Sequence, residues 1–199
     1  KNFINNILKI EKTVILPNTT INFADSYQKN KLKINHQTHK NNQANIKNKF
    51  KNILYVGRIE ESKGIILLFE AMKNLDIDNY NLIFVEKNNL SNKILNKYKH
   101  LNLLFFDEVK IEDLNKFYSI ADIFVFPSLE DTWGMVINEV FAYDCVVICS
   151  KFAGCYPDLV NEKNAFCFNP LNINELSNYI KIGLDNKQNY IFRENKDKK

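Results

Sequence analysis

The chain has 199 residues, 45% of them hydrophobic, and a formal net charge of +4; that length holds one sizeable core and excludes a second full domain. Its lysines are scattered, with no compact Lys/Arg block interleaved with aromatics, so the composition argues against a nucleic-acid partner. No apolar run approaches the roughly 18 residues a bilayer span needs, and KNFINNILKIEK at the start lacks the long apolar core of a signal peptide. A cytoplasmic location is expected, extending to a peripheral position at the inner face of a membrane.

In chain order, TVIL at 13–16 reads as a strand closed by Pro17-Asn18, with no companion strands before it, so residues 1–19 are read as a remnant of a preceding domain. Residues 20–51 are polar, Asn- and Lys-rich and aperiodic, as a solvated linker is. Six short apolar runs follow, at 52–56, 81–85, 102–106, 122–126, 146–150 and 165–168. Continuous apolar runs of this length mark strands covered on both faces. Between the first two, Ser62 is placed to cap a helix on which Leu67, Leu68, Ala71, Met72 and Leu75 recur. Further helices are predicted from Ile111, Leu114, Tyr118 and Ala121, from about Gly134 to Tyr143, and from Ile173 to Leu184, before a polar tail at 185–199. Strand alternating with helix predicts an α/β doubly wound parallel sheet over residues 52–184.

In such sheets ligands sit at the carboxyl ends of the strands. The loop after the first strand carries Gly57-Arg58 and then Lys63-Gly64 at a helix start: two cations beside two backbone positions of low steric demand, which suits a diphosphate. Taken alone, an R-x4-K pair reads first as surface ion pairing with Glu60 and Glu61. The loop after the fourth strand carries Glu130-Asp131-Thr132-Trp133-Gly134 and, eight residues beyond Asp131, Glu139. Asp131 or Thr132 can cap a helix and leave the amides of Gly134, Met135 and Val136 open to phosphate. Two helical turns separate Asp131 from Glu139, so both carboxylates can face one crevice and accept from sugar or ribose hydroxyls. Equally, Asp131 can be a simple cap and Glu139 a surface charge.

Other signals are discounted. Cys145, Cys149, Cys155 and Cys167 match no zinc spacing and read as reduced, packed thiols. Asp76-Ile77-Asp78 precedes a strand and reads as a polar turn, and His36, His39 and His100 have no ligand company.

Together YVGRIEESKGIILLFEAM, LNKFYSIADIFVFPSLEDTWGMVINEVFAYDCVVICS and AGCYPDLV resemble the C-terminal, donor-binding domain of retaining GT-B glycosyltransferases of family 4, also called group 1. The resemblance covers about residues 52–184 and implies a Rossmann-like domain, one half of a GT-B fold. It implies that Arg58 and Lys63 hold the donor diphosphate and stabilise charge on the leaving group. It further implies that amides from Gly134 to Val136 contact phosphate, that Glu139 takes the nucleotide ribose, and that Asp131 stands at the acidic position facing the donor sugar. There Asp replaces Glu, one methylene shorter, with Glu130 adjacent. Asp144 and Val146 replace the family's Gly and Pro, Ala165 replaces a common Gly, and the loop from Glu86 to Asn89 lacks its glycines.

The implied activity is transfer of a hexosyl group from a nucleotide sugar, UDP- or GDP-linked, to a glycan or lipid-linked acceptor, as in polysaccharide biosynthesis. Attack is from the front face, without a metal, and a separate chain is one expected source of the acceptor domain. The competing readings are a non-catalytic or degenerate nucleotide-sugar-binding fragment and a GT-B enzyme of different chemistry such as an epimerase.

Overall fold

A computed structural model of the chain describes residue 46 and residues 50–107 and 109–185. The orphan strand at 13–16, nearly all of the linker, His36, His39 and the tail after residue 185 lie outside the described residues.

All six expected strands form: β1 (Lys51–Val56), β2 (Tyr80–Val85), β3 (Leu103–Phe106), β4 (Ile123–Phe126), β5 (Val146–Ser150) and β6 (Phe166–Phe168). They make one sheet in the order β3-β2-β1-β4-β5-β6, with every pairing parallel. Residues of β1, β2, β4 and β5 are buried almost throughout, including Ile53, Phe84, Phe124 and Ile148 at 0% exposure. This is why those strands read as continuous apolar runs rather than alternating ones; burying each such side chain is worth about 1.5–3 kcal/mol.

The helices are α1 (Ile65–Lys73), α2 (Asn92–Lys97), α3 (Leu114–Ile120), α4 (Met135–Val140) and α5 (Ile173–Asp185). α5 lies against α1, where the buried Ser177 hydroxyl donates to the Ala71 carbonyl at 3.0 Å. Gly183 lets α5 approach the sheet, since a Cβ there would stand 3.0 Å from Ile123 Cδ1. α2 was not foreseen: it is capped by Ser91, whose hydroxyl accepts from the Ile94 amide, and it buries no residue fully. Ile111 is not part of a buried helical face but is 74% exposed, in a short 3-10 turn before α3. The four cysteines are free and buried, as packed thiols. Asp144, at a position where the family has Gly, needs no left-handed backbone; among the described non-glycine residues only Asn79 and Glu86 have positive φ.

The order reverses between β1 and β4: β2 and β3 extend the sheet to one side of β1, β5 and β6 to the other side of β4. The crossovers then lead the chain away in opposite directions from these two central strands, the arrangement that leaves a crevice at their carboxyl ends. The loops singled out from sequence leave from there.

Candidate functional site

β1 ends at Val56, and Gly57 turns the chain with φ 137°. Beneath it the Tyr55 hydroxyl donates to the Arg58 carbonyl at 2.8 Å, and a Cβ on Gly57 would meet that hydroxyl at 3.1 Å. Burial, and next the negative charge of Asp131, hold the Tyr55 phenol well above its ordinary pKa, so it serves as a neutral donor. Arg58 itself reaches outward: its side chain is 64% exposed and Nη1 is 3.4 Å from Glu60 Oε1. An exposed pair of this kind is weak and readily exchanged for another anion.

Lys63 closes a 3-10 turn (Glu61–Lys63) and is followed by Gly64 in the left-handed region, φ 70°. Gly64, not Ser62, therefore caps α1; the Ser62 hydroxyl instead donates to Glu60 Oε1 at 2.8 Å. The turn is seated against the loop after β4. A Cβ on Gly64 would lie 1.9 Å from the Pro127 carbonyl oxygen, and the Leu129 amide donates to the Ser62 carbonyl at 3.2 Å. This contact carries Lys63 to the other loop, where Nζ donates to the Glu130 carbonyl at 2.7 Å and to Asp131 Oδ2 at 2.9 Å. The Lys63–Asp131 pair is mostly covered, with side-chain exposures of 13% and 20%.

Asp131 is held on every side. Its Oδ1 accepts from the Trp133 amide at 3.1 Å, its carbonyl accepts from the Gly154 amide at 2.8 Å, and it bridges to Ala153 in the loop after β5. Thus neither Asp131 nor Thr132 caps a helix in the expected way; Asp131 fixes a tight turn, and Gly134 at φ 81° is the N-cap of α4. The amides of Gly134, Met135 and Val136 make no hydrogen bond among the described residues, consistent with open positions at a helix start. Glu130 projects an exposed carboxylate with no partner among the described residues.

Glu139 lies on α4, eight residues beyond Asp131. Its Oε2 accepts from the Tyr118 hydroxyl at 2.8 Å, and burial together with that carboxylate pushes the Tyr118 phenol far up in pKa. Both residues line a shallow groove with Ile111, Glu112, Leu114, Asn115 and Tyr143, and the buried Oδ1 of Asn115 lacks any partner among the described residues. Asp131 and Glu139 take different partners, the Lys63 ammonium and the Tyr118 hydroxyl. Chemically, the rim offers a fixed ammonium, an available guanidinium, open amides and a free carboxylate, and the groove carries two carboxylates, Glu112 and Glu139. Tyr55, Tyr118 and Asn115 were not marked as site residues from sequence, because the first two read as core aromatics and nothing local distinguishes the third.

Residues 36–199 match the family model described as "Glycosyl transferases group 1". The lipopolysaccharide 1,2-N-acetylglucosaminetransferase of Salmonella typhimurium is 30% identical over 145 residues, 66% of this chain and 37% of that protein. The sulfoquinovosyl transferase of Arabidopsis thaliana is 27% identical over 122 residues, 59% of this chain and 23% of that protein. The chain thus spans well under half the length of these relatives. Among solved structures, sucrose-phosphate synthase from Thermosynechococcus elongatus aligns with TM-score 0.63 and 25% identity over 72% of this chain and 38% of that one. Anabaena HepE in complex with UDP aligns with TM-score 0.62 and 17% identity, over 72% of this chain and 42% of its own, a likeness of fold.

Proposed function

The chain belongs to the group 1 glycosyl transferases, and from that premise we propose that its rim binds a nucleoside diphosphate sugar for retaining transfer of the glycosyl group to a glycan or lipid-linked acceptor. The observation that carries this reading is the locking of the β1 and β4 loops at the reversal point of the sheet, which sets Lys63 Nζ against the Glu130 and Asp131 turn just before the open amides of Gly134 to Val136. Lys63 has three donors and spends two on the protein. The third is left for a phosphate oxygen, and exposed Arg58 can leave Glu60 for the same anion.

On this reading the Glu139 carboxylate accepts from the ribose, and the groove of Ile111, Leu114 and Asn115 beside it receives the nucleobase. Tyr118 holds Glu139 in place from below. As the bond from the anomeric carbon to the leaving phosphate oxygen breaks, negative charge grows on the diphosphate, which Lys63 and the amides meet as fixed donors that need no reorganisation, and Arg58 joins them once it leaves Glu60. No metal is required in this scheme. The acceptor site and the facing wall of the cleft come from polypeptide outside the described residues, in this chain or a separate one. The UDP and the UDP-2-fluoro glucose named with two of the structural neighbours are donor-class ligands and support the choice of probe.

Among the described residues no helix is long and apolar enough to cross a membrane; a cytoplasmic protein working at the inner membrane face fits a lipid-linked acceptor.

Calorimetric titration with UDP, GDP and ADP, with and without EDTA, tests the reading. One nucleotide should bind independently of EDTA, and Lys63→Ala and Arg58→Ala should each weaken it, Lys63→Ala by tenfold or more, as expected for a charged hydrogen bond worth about 1.5–3 kcal/mol. Glu130→Ala should leave it little changed. Equal affinities for the three variants would remove the diphosphate site.

A further inference from the structure

We propose that Cys149 and Cys155 are a reversible redox pair: a peroxide closes them into a disulfide, and the closure loosens the turn that holds Asp131. Both thiols are buried at 0% exposure, and their sulfurs are 4.0 Å apart. Cys149 belongs to β5 and is paired on both sides, with Phe126 of β4 and Cys167 of β6. Cys155 lies in the loop after β5, which is built of turns. One thiol is therefore fixed in the sheet and the other rides on a turn. That turn lies at the surface, with Phe152, Gly154, Pro157 and Asp158 exposed around the buried Cys155. Brief local opening of such a segment admits a small oxidant that the closed fold keeps out.

The contact between the sulfurs favours the thiolate on Cys155: the hydrogen bond with Cys149 holds Cys155 below the ordinary thiol pKa, while the same bond and burial raise Cys149. Cys155 is accordingly the nucleophile. Its thiolate attacks an oxygen of hydrogen peroxide, the O–O bond breaks, and a sulfenic acid and hydroxide form. The Cys149 sulfur then attacks the sulfenic sulfur; an S–S bond forms, the S–O bond breaks, and the hydroxyl leaves as water with the Cys149 proton. The hydroxide takes up the proton that Cys155 released, so two thiols and one peroxide become a disulfide and two waters. A dithiol reverses the step by exchange.

A disulfide is about 2.05 Å long, so the two sulfurs must close by about 2 Å. With Cys149 held in the sheet, the turn supplies that movement. Gly154, immediately before Cys155, donates its amide to the Asp131 carbonyl at 2.8 Å, and Ala153 bridges to the same residue. The seat is close on both sides of Cys155. A Cβ on Gly154 would lie 2.0 Å from the Thr132 carbonyl oxygen, and one on Gly134 would lie 3.6 Å from the Cys155 sulfur. Displacing Cys155 therefore disturbs the Asp131 turn and the start of α4 together, and through Asp131 the seat of Lys63. The reduced pair is the state in which the rim is assembled.

The test treats the full chain with hydrogen peroxide, alkylates it under denaturing conditions and maps it by mass spectrometry. Cys149 and Cys155 should be joined, Cys145 and Cys167 should be alkylated, and dithiothreitol should return all four thiols. Amide hydrogen exchange then reads the turn without a ligand. Exchange at Gly154 should rise about tenfold in the oxidised chain, the worth of one backbone hydrogen bond, and Cys155→Ala should abolish both the link and the response to peroxide. Four free thiols after peroxide, a link to Cys145 or Cys167 instead, or unchanged exchange at Gly154 in the linked chain would overturn the proposal. On the donor-site reading above, oxidation should also weaken UDP or GDP binding about tenfold, as for one charged hydrogen bond, and dithiothreitol should restore it. Equal affinities of the two forms would overturn the link to Lys63. A reduced chain that binds neither nucleotide would overturn the donor-site reading alone, since the mapping and the exchange need no ligand.

Discussion

At the amino ends of β1, β2 and β3, Asn52, Asn81 and Asn102 satisfy one another across the sheet: Asn81 Nδ2 donates to Asn52 Oδ1 at 2.8 Å and Asn102 Nδ2 to Asn81 Oδ1 at 3.1 Å. Asn52 Nδ2 continues to the Ile120 carbonyl at 3.0 Å and its amide reaches Asp122 Oδ2 at 2.9 Å. At the carboxyl ends of β1 and β4 the polar groups are left incomplete, with an exposed guanidinium, an ammonium with a donor to spare, three amides without partners among the described residues and a free carboxylate. The difference shows how one parallel sheet separates its tasks: polar groups that complete one another lock the register, and groups that cannot complete one another are available to a ligand. The incomplete end is nonetheless rigid, because steric contacts between backbones do there what the asparagines do at the other end.

The largest expected effect breaks that rigidity. Gly64→Ala forces a Cβ to 1.9 Å from the Pro127 carbonyl at φ 70°, so the loops after β1 and β4 must separate. A loss of at least about 3 kcal/mol in urea unfolding is expected, in the range reached when backbone strain and overpacking combine. Nucleoside diphosphate affinity should fall with it, since Lys63 loses its seat. Retained affinity in a destabilised variant would show that the loop contact does not set the ammonium.

Asn81→Leu attacks the opposite end. Asn81 is wholly buried, and its loss leaves Asn52 Oδ1 and one Asn102 donor without it. Stability should fall by about 2 kcal/mol, the cost of stranding buried polar atoms, while affinity for the diphosphate stays unchanged. A fall in affinity would mean that the two ends are coupled and that the comparison drawn above is too sharp.

The sheet was legible because burial on both faces leaves its mark on every residue of a strand, as in NLIFV and DIFVF, and because parallel neighbours require helices between them. α2 was not legible, since only Ile94 and Leu95 of its six residues are even partly buried and six residues cannot display a period. At the site, the loops and residue types could be read, but not their partners. Lys63 is 68 residues from Asp131, and only the adjacency of β1 and β4 in a reordered sheet brings the two together. The caps failed for a related reason: Ser62 and Asp131 have the chemistry of an N-cap, but Gly64 and Gly134 take left-handed φ and begin the helices after them. The asparagine ladder is invisible in sequence because each member looks like an ordinary polar residue at a strand start.

The smallest effect concerns strain on the functional end. Glu86, just after β2, has φ 125°, in a loop where the family has glycines, and its amide is fixed to the Phe106 carbonyl at 3.1 Å. A side chain at this φ costs on the order of 1–3 kcal/mol, whereas glycine adopts it freely. Glu86→Gly should therefore raise stability by about 1 kcal/mol after the entropy of the unfolded glycine is deducted, seen as a rise of a few degrees in melting temperature. Glu86→Ala is the control, because it removes the same carboxylate but keeps the strain. Alanine normally outperforms glycine at an unstrained position, so a glycine variant more stable than the alanine variant assigns the gain to the backbone. The reverse order would show that the loop relaxes around Glu86 and that the carboxyl end of the sheet carries no conformational cost at this position.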